Sequence, residues 1–313
     1  MPFCKKVQGV NVPRIFPDDA VISALSYEPR EDDIFVIAYP KSGTTWVQCI
    51  AYGIFHDGEP PRDLSQFVSE TPFLEFVGAD YVGLMPRPGT IKTHLPFDEK
   101  RLRSGAKYIY VARNPYDVCV SSYYQILTHT VNKEDVGSFD EHLKRFVTGT
   151  STFGSYLQDS LLPFYSRRKD GNVLFLTYET LCDDIGAEVT KIAQFLGHEY
   201  GRRISRDPAM LQRVIEMSSK ERMRPIFKEF LRATIDFTVC HRSRRNASIP
   251  HALLTTKKFL DHRPPRHEFV RDGTIGNYKK VLSENQVGML KEWISASTSD
   301  SDVMSLWSRV GLP

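Results

Sequence analysis

Five consecutive residues in the first quarter of the chain combine positive charge with hydrogen-bond donors. They are Lys41, Ser42, Gly43, Thr44 and Thr45. A glycine permits a tight turn, and the backbone N–H groups that follow can converge on an anion at the start of a helix. The lysine adds a cation, and the three hydroxyl groups add further donors. Ser and Thr also cap helices without binding any ligand, but this combination favours a phosphate-binding loop.

The order of these residues differs from that of the nucleoside-triphosphate loop. A Walker loop reads G-x-x-x-x-G-K followed by Ser or Thr, so its lysine comes after the glycines. Here Lys41 precedes Gly43, and residues 36–40 contain no glycine. The order excludes a Walker loop, and it disfavours the alternative that the chain is a P-loop-like small-molecule kinase.

A second polar cluster contains Arg113, Asn114 and Ser121. Ser121 lies seven residues after Asn114, which is about two helical turns, so the two side chains face the same way. A guanidinium group and a hydroxyl group on one side of a helix start predict a second anion site. The structural alternative is that Arg113 pairs only with Asp117.

Two shorter segments add candidate residues. Arg271, Asp272 and Gly273 form a basic turn late in the chain, which alone is weak evidence for a third contributor. Lys92 lies in a short candidate strand and His94 lies beside its end, and an imidazole suits general acid–base chemistry near neutral pH. A single histidine is more often structural than catalytic, so the local residues leave both interpretations of His94 open.

The elements that must position these residues alternate along the chain. Apolar runs at residues 34–38, 108–112 and 173–176 predict strands that are buried on both faces. A shorter candidate strand lies at residues 90–93. Helical patterns follow the three longer runs. The sequence therefore predicts an α/β fold, a single domain over residues 1–313 with a central, mostly parallel sheet flanked by helices. Ligands in such folds bind at the carboxyl ends of the strands.

Helix ends are marked by their capping residues. Asn114 followed by Pro115 predicts a helix start, and Gly197 after an apolar face predicts a helix end. Ser283 with Gln286 predicts a capping box, in which each side chain binds the backbone of the other residue.

Residues 242–266 differ from the rest of the chain. They contain seven Lys or Arg against one acid, Asp261, together with three prolines, and they show neither a helical nor a strand period. An exposed irregular loop is the simpler interpretation. The functional alternative is a flexible basic lid at residues 241–267 that closes over an anionic ligand.

The composition bounds the class of protein. The chain has 313 residues and a net charge of +3, which is too small an excess of base to predict a nucleic-acid partner. No run approaches the ~18 apolar residues that span a bilayer, and the amino terminus opens no secretory core. Five scattered cysteines without C-x-x-C predict neither disulfides nor a zinc site. We therefore predict a cytoplasmic protein that neither associates with a membrane nor binds a metal ion.

Taken together, these segments resemble the cytosolic sulfotransferases, which use 3′-phosphoadenosine-5′-phosphosulfate (PAPS) as donor. The resemblance covers the family's 5′-phosphosulfate loop without a substitution, its catalytic-histidine segment, its 3′-phosphate segment and its C-terminal nucleotide motif. The matching segments are, in that order, residues 39–46, 92–96, 110–121 and 271–279. They occur in family order across most of the chain, so jointly they are specific.

The resemblance implies a reaction and a role for each residue. The reaction is sulfuryl transfer to the hydroxyl or amine of a small acceptor, a phenol, catechol or monoamine, by in-line attack with His94 as general base. Lys41 and Lys92 are implied to stabilise charge on the transferring group. The implied donor-binding residues are Lys41, Ser42, Gly43, Thr44, Thr45, Trp46, Arg113, Ser121, Tyr178, Ser218, Arg271, Asp272 and Gly273. The implied acceptor-binding residues are Phe16, Phe73, Phe76, Lys92 and His94. A non-catalytic nucleotide-binding scaffold is the alternative, but it would need neither His94 nor Lys92.

Three positions depart from the family pattern. Lys220 stands where the family often has a phenylalanine that stacks on adenine, and Asp272 replaces the lysine of a basic turn. Both changes imply weaker binding of the same donor. Gly288 stands where the family's dimer motif has an acid, so the motif is only partly present and the resemblance leaves a homodimer open.

The acceptor is the least specified part of the sequence. The resemblance implies that Phe73 and Phe76 line an apolar slot for a phenol, and core packing is an equally good explanation for either of them. Glu75 or Asp80 would favour a monoamine if one of these carboxylates faced the slot.

Overall fold

Six strands form in the computed structural model, which describes residues 3–130, 133–227, 229–245, 247, 249, 251–262 and 273–313. The strands are β1 (Cys4–Val7), β2 (Val10–Pro13), β3 (Ile34–Ile37), β4 (Ile91–Thr93), β5 (Lys107–Ala112) and β6 (Val173–Thr177). The last four are the runs that the sequence marks as strands, and they pair in parallel in the order β4-β3-β5-β6. The prediction of an α/β fold with a parallel sheet is confirmed.

Both faces of this sheet are buried, which explains why its strands show no polar alternation. Phe35 and Tyr108 point to one apolar cluster, while Val36 and Ile109 point to a second cluster on the opposite face. Successive side chains of a strand face opposite ways, and helices cover both sides of a parallel sheet. The carboxyl ends of the strands are therefore the edge that is open to a ligand.

Sixteen α-helices pack around the sheet within the described residues. They are α1 (Asp18–Leu25), α2 (Thr44–Phe55), α3 (Leu64–Glu70), α4 (Leu74–Val77), α5 (Ala79–Val82), α6 (Pro115–His129), α7 (Phe139–Val147), α8 (Leu162–Ser166), α9 (Tyr178–Asp183), α10 (Ile185–Leu196), α11 (His198–Arg206), α12 (Pro208–Met217), α13 (Lys220–Phe227), α14 (Phe230–Arg244), α15 (His251–His262) and α16 (Glu284–Ser297). Shorter turns of 3₁₀- or π-helix lie at Glu99–Arg101, Lys133–Asp135, Leu157–Leu161, Asn277–Lys280 and Val303–Val310.

The predicted helix ends are where the capping residues mark them. The Asn114 side chain accepts a hydrogen bond from the backbone of Asp117 at the start of α6. Gly197 follows the last residue of α10. Ser283 and Gln286 form both hydrogen bonds of a capping box at the start of α16.

The interpretation of residues 242–266 as an irregular loop is wrong for most of the described part. α14 continues to Arg244, and α15 spans His251–His262. The described buried residues of these two helices are partly polar: Leu253 and Thr256 are buried in α15, and the buried Arg242 of α14 pairs with Asp19 at 2.7 Å. Tertiary contacts therefore stabilise a helix that the apolar period does not show. Residues 246, 248, 250 and 263–267 of the predicted lid lie outside the described residues, and the lid stays a prediction.

An antiparallel hairpin precedes the main sheet and was not predicted. β1 and β2 pair from Cys4 with Pro13 to Val7 with Val10. The turn residues Gln8 and Gly9 both have positive φ, 43° and 88°, which is the geometry of a two-residue type I′ turn. The strand β2 leads directly to Arg14, Ile15 and Phe16, so the hairpin positions these residues.

Within the described residues, no helix has the length and apolarity that a bilayer span requires. The same part of the chain brings no three His, Cys, Asp or Glu side chains together in an arrangement that could hold a metal ion.

Candidate active site

The loop that joins β3 to α2 has an unusual backbone. Lys41 has a φ of 73° and Gly43 has a φ of 112°, so two residues within three positions are left-handed. A left-handed lysine is strained, and such strain is common at ligand-binding loops. Ser42 lies between them, and its buried Oγ has no hydrogen-bond partner among the described residues. The loop ends at Thr44, where α2 begins, so the partial positive charge of the helix start faces the loop.

Arg113 lies at the end of β5 and connects the two predicted anion sites. Its guanidinium group donates to the backbone oxygens of Lys41, at 3.2 Å, and Thr274, at 3.4 Å. The same group lies 4.4 Å from the centre of the Tyr178 ring. Asp117 is 3.7 Å away. The ion pair with Asp117 that the sequence allows therefore exists, but it is the longest of these polar contacts.

Asp117 holds the C-terminal segment next to Arg113. Its carboxylate accepts hydrogen bonds from the backbone N–H groups of Gly276, at 2.8 Å, and Tyr278, at 3.0 Å. The hydroxyl of Tyr178 donates to the backbone oxygen of Gly273 at 2.8 Å. These contacts bring the described end of the predicted third segment to the strand edge that carries the first two.

One cavity of about 520 Å³ lies at this edge of the sheet. It collects most of the residues that the sequence proposes for binding. On its lining are Phe16, Lys41, Gly43, Thr44, Thr45, Trp46, Phe73, Phe76, Lys92, His94, Arg113, Ser121, Tyr178, Ser218 and Gly273. Ser42 belongs to the loop, but its side chain is buried and is not on the cavity lining. Arg271 and Asp272 lie outside the described residues.

His94 follows β4 and is held at three points. Its Nδ1 lies 2.6 Å from the backbone oxygen of Ala38, which follows β3. Its backbone N–H donates to Oε1 of Glu75 at 2.6 Å. Its ring meets Phe73 edge-on, with the ring centres 5.1 Å apart. Because a carbonyl oxygen only accepts, Nδ1 carries the proton and Nε2 keeps a free lone pair.

The electrostatics of this cluster favour a neutral histidine beside a lysine that loses its proton easily. Burial, together with the charges of Lys92 and Lys41, lowers the pKa of His94 to about 3. Burial also lowers the pKa of Lys92 to about 8, against the opposing effect of Glu75. The pKa of Glu75 is raised by its burial to about 7. At neutral pH the imidazole is therefore a base without a proton on Nε2.

An aromatic slot leads away from the histidine. Phe16 packs edge-on against Phe73, with ring centres 5.2 Å apart, and against Phe76 at 5.0 Å. Phe153 lies 5.5 Å from His94 by the same measure and completes the wall. Lys92 adds a cation beside these rings, because its Nζ lies 4.2 Å from the centre of the Phe73 ring.

The sulfotransferase domain family has a model that matches residues 31–302 of this chain. This chain belongs to the sulfotransferase family. Sulfotransferase 2B1 of Mus musculus is 32% identical over 275 residues, which cover 86% of this chain and 72% of the relative. Rabbit (Oryctolagus cuniculus) sulfotransferase 1C2 is 27% identical over 277 residues, covering 85% and 83% of the two chains.

A solved structure extends the likeness to the three-dimensional fold. The crystal structure of mouse sulfotransferase SULT7A1 complexed with PAP superposes with a TM-score of 0.68 at 22% identity. The superposition covers 98% of each chain. At this level of identity the superposition demonstrates that the sulfotransferase fold is shared.

This sulfotransferase also has cavity residues that sequence reasoning missed. Phe153, Met223 and Phe230 line the cavity together with Arg14 and Lys220. Phe153 has a φ of 65°, and no local pattern in the sequence marks a phenylalanine as left-handed. These residues reach the cavity through contacts between segments that are distant in the sequence. Among them, only Lys220 is marked in the sequence, by the resemblance to the family.

The two carboxylates considered for an amine do not face the slot of this sulfotransferase. Glu75 is fully buried, its Oε1 binds the backbone of His94, and it is not on the cavity lining. Asp80 is exposed and pairs with Arg245 at 3.0 Å. Neither is therefore positioned to bind an ammonium group of an acceptor.

Proposed function

We propose that this chain transfers the sulfuryl group of PAPS to the hydroxyl of a small acceptor. The observation that carries the proposal is that a single cavity is lined by two groups of basic and hydrogen-bonding residues and by a neutral histidine. Each of the two groups is a candidate anion site. The first site surrounds Lys41 and Gly43, and the second surrounds Arg113 and Ser121. A donor with a phosphosulfate at one end and a phosphate at the other needs two separate sites of this kind.

The donor fits the chemistry of the residues present. Ser42 Oγ and Arg113 Nε are buried without a hydrogen-bond partner among the described residues, and buried polar atoms of this kind normally have one. In our proposal Lys41, Ser42, Gly43, Thr44 and Thr45 hold the 5′-phosphosulfate. Arg113, Ser121, Gly273 and Arg271 hold the 3′-phosphate, with Asp272 beside them. Trp46, Tyr178 and Ser218 contact the adenine.

His94 acts as general base in this proposal. When bound, the donor supplies an activated sulfuryl group and a phosphate leaving group. The Ala38 carbonyl holds the proton on Nδ1, so Nε2 accepts the proton of the acceptor hydroxyl as its oxygen attacks. Lys92 and Lys41 stabilise the negative charge that develops on the transferring group and on the leaving phosphate.

The acceptor in this proposal is a small phenol, a catechol or a related alcohol, held between Phe16, Phe73 and Phe76. The T-shaped packing of these rings leaves aromatic faces and edges for an acceptor ring. A solved retinol dehydratase of similar fold, in complex with androsterone and PAP, has a TM-score of 0.66 at 21% identity. The androsterone in that complex is consistent with an apolar acceptor in our proposal.

The test is transfer of radiolabelled sulfate from PAPS to 1-naphthol, with dopamine as a second acceptor. We expect labelled product with 1-naphthol from sulfate-labelled PAPS, and none from ATP that carries the label in its γ-phosphate. Binding of adenosine 3′,5′-bisphosphate is measured in parallel by equilibrium dialysis. Donor binding without transfer across a panel of phenols, alcohols and amines would favour a non-catalytic scaffold, and phosphoryl transfer from ATP would favour a kinase.

We also propose that the protein is cytoplasmic and that it forms a homodimer. Cell fractionation tests the location, and analytical ultracentrifugation tests the homodimer. A chain that sediments as a monomer at micromolar concentration would remove the homodimer.

A further inference from the structure

The charged side chains on the cavity lining are all basic within the described part of the chain. They are Arg14, Lys41, Lys92, Arg113 and Lys220, and no Asp or Glu accompanies them. A ligand that fills this cavity meets no described carboxylate. An ammonium group would therefore be desolvated there without a charged partner, which is unfavourable.

Four of these five basic side chains lie where the proposed donor binds or where the reaction takes place. Lys41 and Arg113 form the two proposed anion sites, and Lys92 lies beside His94. Lys220 is on the donor side, because a Cβ placed on Gly273 would meet its Cδ at 3.8 Å. Arg14 is the remaining cation, and it comes from a different element, the segment that follows β2.

Arg14 lies at the outer end of the aromatic slot. Its backbone N–H donates to the backbone oxygen of Phe3 at 3.1 Å, and Phe3 and Ile15 also line the cavity. Two residues further along the chain is Phe16, which packs against Phe73, and Phe73 packs against His94. The ring centres of Phe16 and Phe73 are 5.2 Å apart, and those of Phe73 and His94 are 5.1 Å apart, so one ring separates Phe16 from the proposed base.

The guanidinium group of Arg14 is available to a ligand. The residue is exposed, and within the described part of the chain its side chain forms neither an ion pair nor a hydrogen bond. Lys5, on the same hairpin, is different: it pairs with Asp18 and donates to the backbone oxygen of Phe16 at 2.5 Å. Arg14 is thus an available cation at the open end of an apolar slot.

We propose that the acceptor carries an anionic group, a carboxylate, at the end remote from its hydroxyl, and that Arg14 binds this group. The inference rests on the proposed function, since it names the acceptor of that same site. The aromatic body of the acceptor lies in the slot, its hydroxyl reaches His94, and its carboxylate extends to Arg14. A planar guanidinium group suits a carboxylate because it donates two parallel hydrogen bonds.

A matched acceptor series tests the charge preference. The three compounds are 4-propylphenol, 3-(4-hydroxyphenyl)propionate and 3-(4-hydroxyphenyl)propylamine, which differ mainly in the charge at the end of one chain. We expect kcat/KM to be highest for the carboxylate and lowest for the amine. A higher kcat/KM for the amine than for the carboxylate would overturn the proposal.

Substitution of Arg14 assigns the preference to this residue. Arg14→Gln is expected to lower kcat/KM for the carboxylate about fivefold, the size of a solvent-exposed charge pair, and to leave 4-propylphenol within about twofold. Arg14→Glu is expected to favour the amine. Lys6→Gln is the matched control, because it removes one exposed cation from the same hairpin at a position off the cavity lining. Equal losses for all three acceptors in Arg14→Gln would contradict the assignment.

A binding measurement separates this inference from the proposed reaction. The three acceptors are titrated calorimetrically into the protein saturated with adenosine 3′,5′-bisphosphate, where no transfer takes place. If affinity follows the charge order and depends on Arg14 while no sulfate transfer is detected, the proposed reaction fails and the acceptor assignment stands. If transfer occurs but affinity is independent of charge, the acceptor assignment fails alone.

Discussion

Nδ1 of His94 lies 2.6 Å from the backbone oxygen of Ala38. The two residues follow directly after Thr93 and Ile37, which are register partners in the parallel pair β4 and β3. Strand pairing therefore fixes which ring nitrogen carries the proton, because a carbonyl oxygen accepts but never donates. The lone pair of Nε2 is left for a substrate proton, and the imidazole is neutral at physiological pH because its pKa is lowered to about 3.

His94→Ala is expected to lower kcat by about 10²- to 10⁴-fold, the usual contribution of a general base. Donor affinity should stay within about twofold of the unsubstituted protein, because the proposed donor contacts come from other residues. Single-turnover sulfate transfer and equilibrium dialysis of adenosine 3′,5′-bisphosphate measure the two quantities. His198→Ala, at the exposed first position of α11, is the control. A loss that falls mainly on donor affinity would contradict the role of general base.

The rate of the reaction is expected to fall on the alkaline side because of Lys92. Its pKa is lowered to about 8, so the ammonium group is charged below that pH and loses its proton as the pH rises through it. Since kcat/KM reports the free enzyme, we expect kcat/KM to decline with an apparent pKa near 8. His94 adds no decline on the acid side above about pH 4, because its pKa is about 3.

Two substitutions identify the group responsible for this decline. Lys92→Arg should abolish the alkaline decline, whatever its effect on the maximum rate, because a guanidinium group keeps its proton. Glu75→Gln should move the decline to lower pH, because the Glu75 carboxylate raises the pKa of Lys92. An unchanged pH profile in both variants would show that another group titrates.

The features that depend on neighbouring residues are predictable from the sequence. Residues 34–38 and 173–176 carry the signal of strands buried on both faces, and that burial is observed. The Asn114 cap needs only the backbone of Asp117, three residues along. The loop from Lys41 to Thr45 is recognisable for the same reason, since its cation, glycine and hydroxyl groups are contiguous, and its binding of phosphate stays a prediction.

Contacts between distant segments are not predictable in this way. The partner of His94 is a backbone oxygen 56 residues away, and every residue carries such an oxygen. Phe153 approaches the same histidine from another part of the chain. The helix α15 shows no clear apolar period in the sequence, although the fold buries its Leu253 and Thr256. In each case the fold, and not the local sequence, selects the contact.

Arg113→Ala is expected to weaken binding of adenosine 3′,5′-bisphosphate about tenfold to a hundredfold. The physical reason is the loss of charge-assisted hydrogen bonds to a phosphate, which contribute about 1.5–3 kcal/mol. Equilibrium dialysis measures the affinity. Arg113→Lys keeps the charge but not the planar fork, so an intermediate affinity is expected. Arg167→Ala is the control for loss of a positive charge, because Arg167 is half-buried, pairs with Glu99 and lies off the cavity lining.

A purely structural Arg113 would give a different result. The guanidinium group also binds the backbone oxygen of Lys41 and pairs with Asp117, so the substitution is expected to lower Tm as well. If Arg113→Ala lowers Tm and leaves the affinity for adenosine 3′,5′-bisphosphate unchanged, the residue only supports the fold and the 3′-phosphate site lies elsewhere.

Gly43→Ala is expected to impair the phosphate loop through both its backbone and its packing. Gly43 has a φ of 112°, and a Cβ at this position would lie 3.1 Å from Cδ2 of Tyr178. A non-glycine residue in this region costs about 1–2 kcal/mol, so we expect a similar loss in the free energy of unfolding and weaker donor binding as Tyr178 moves. Gly171→Ala is the matched control, because a Cβ there meets nothing within 4 Å. Urea unfolding and equilibrium dialysis measure the two effects. A Gly43→Ala protein with unchanged stability and unchanged donor affinity would show that the loop does not require a glycine at this position.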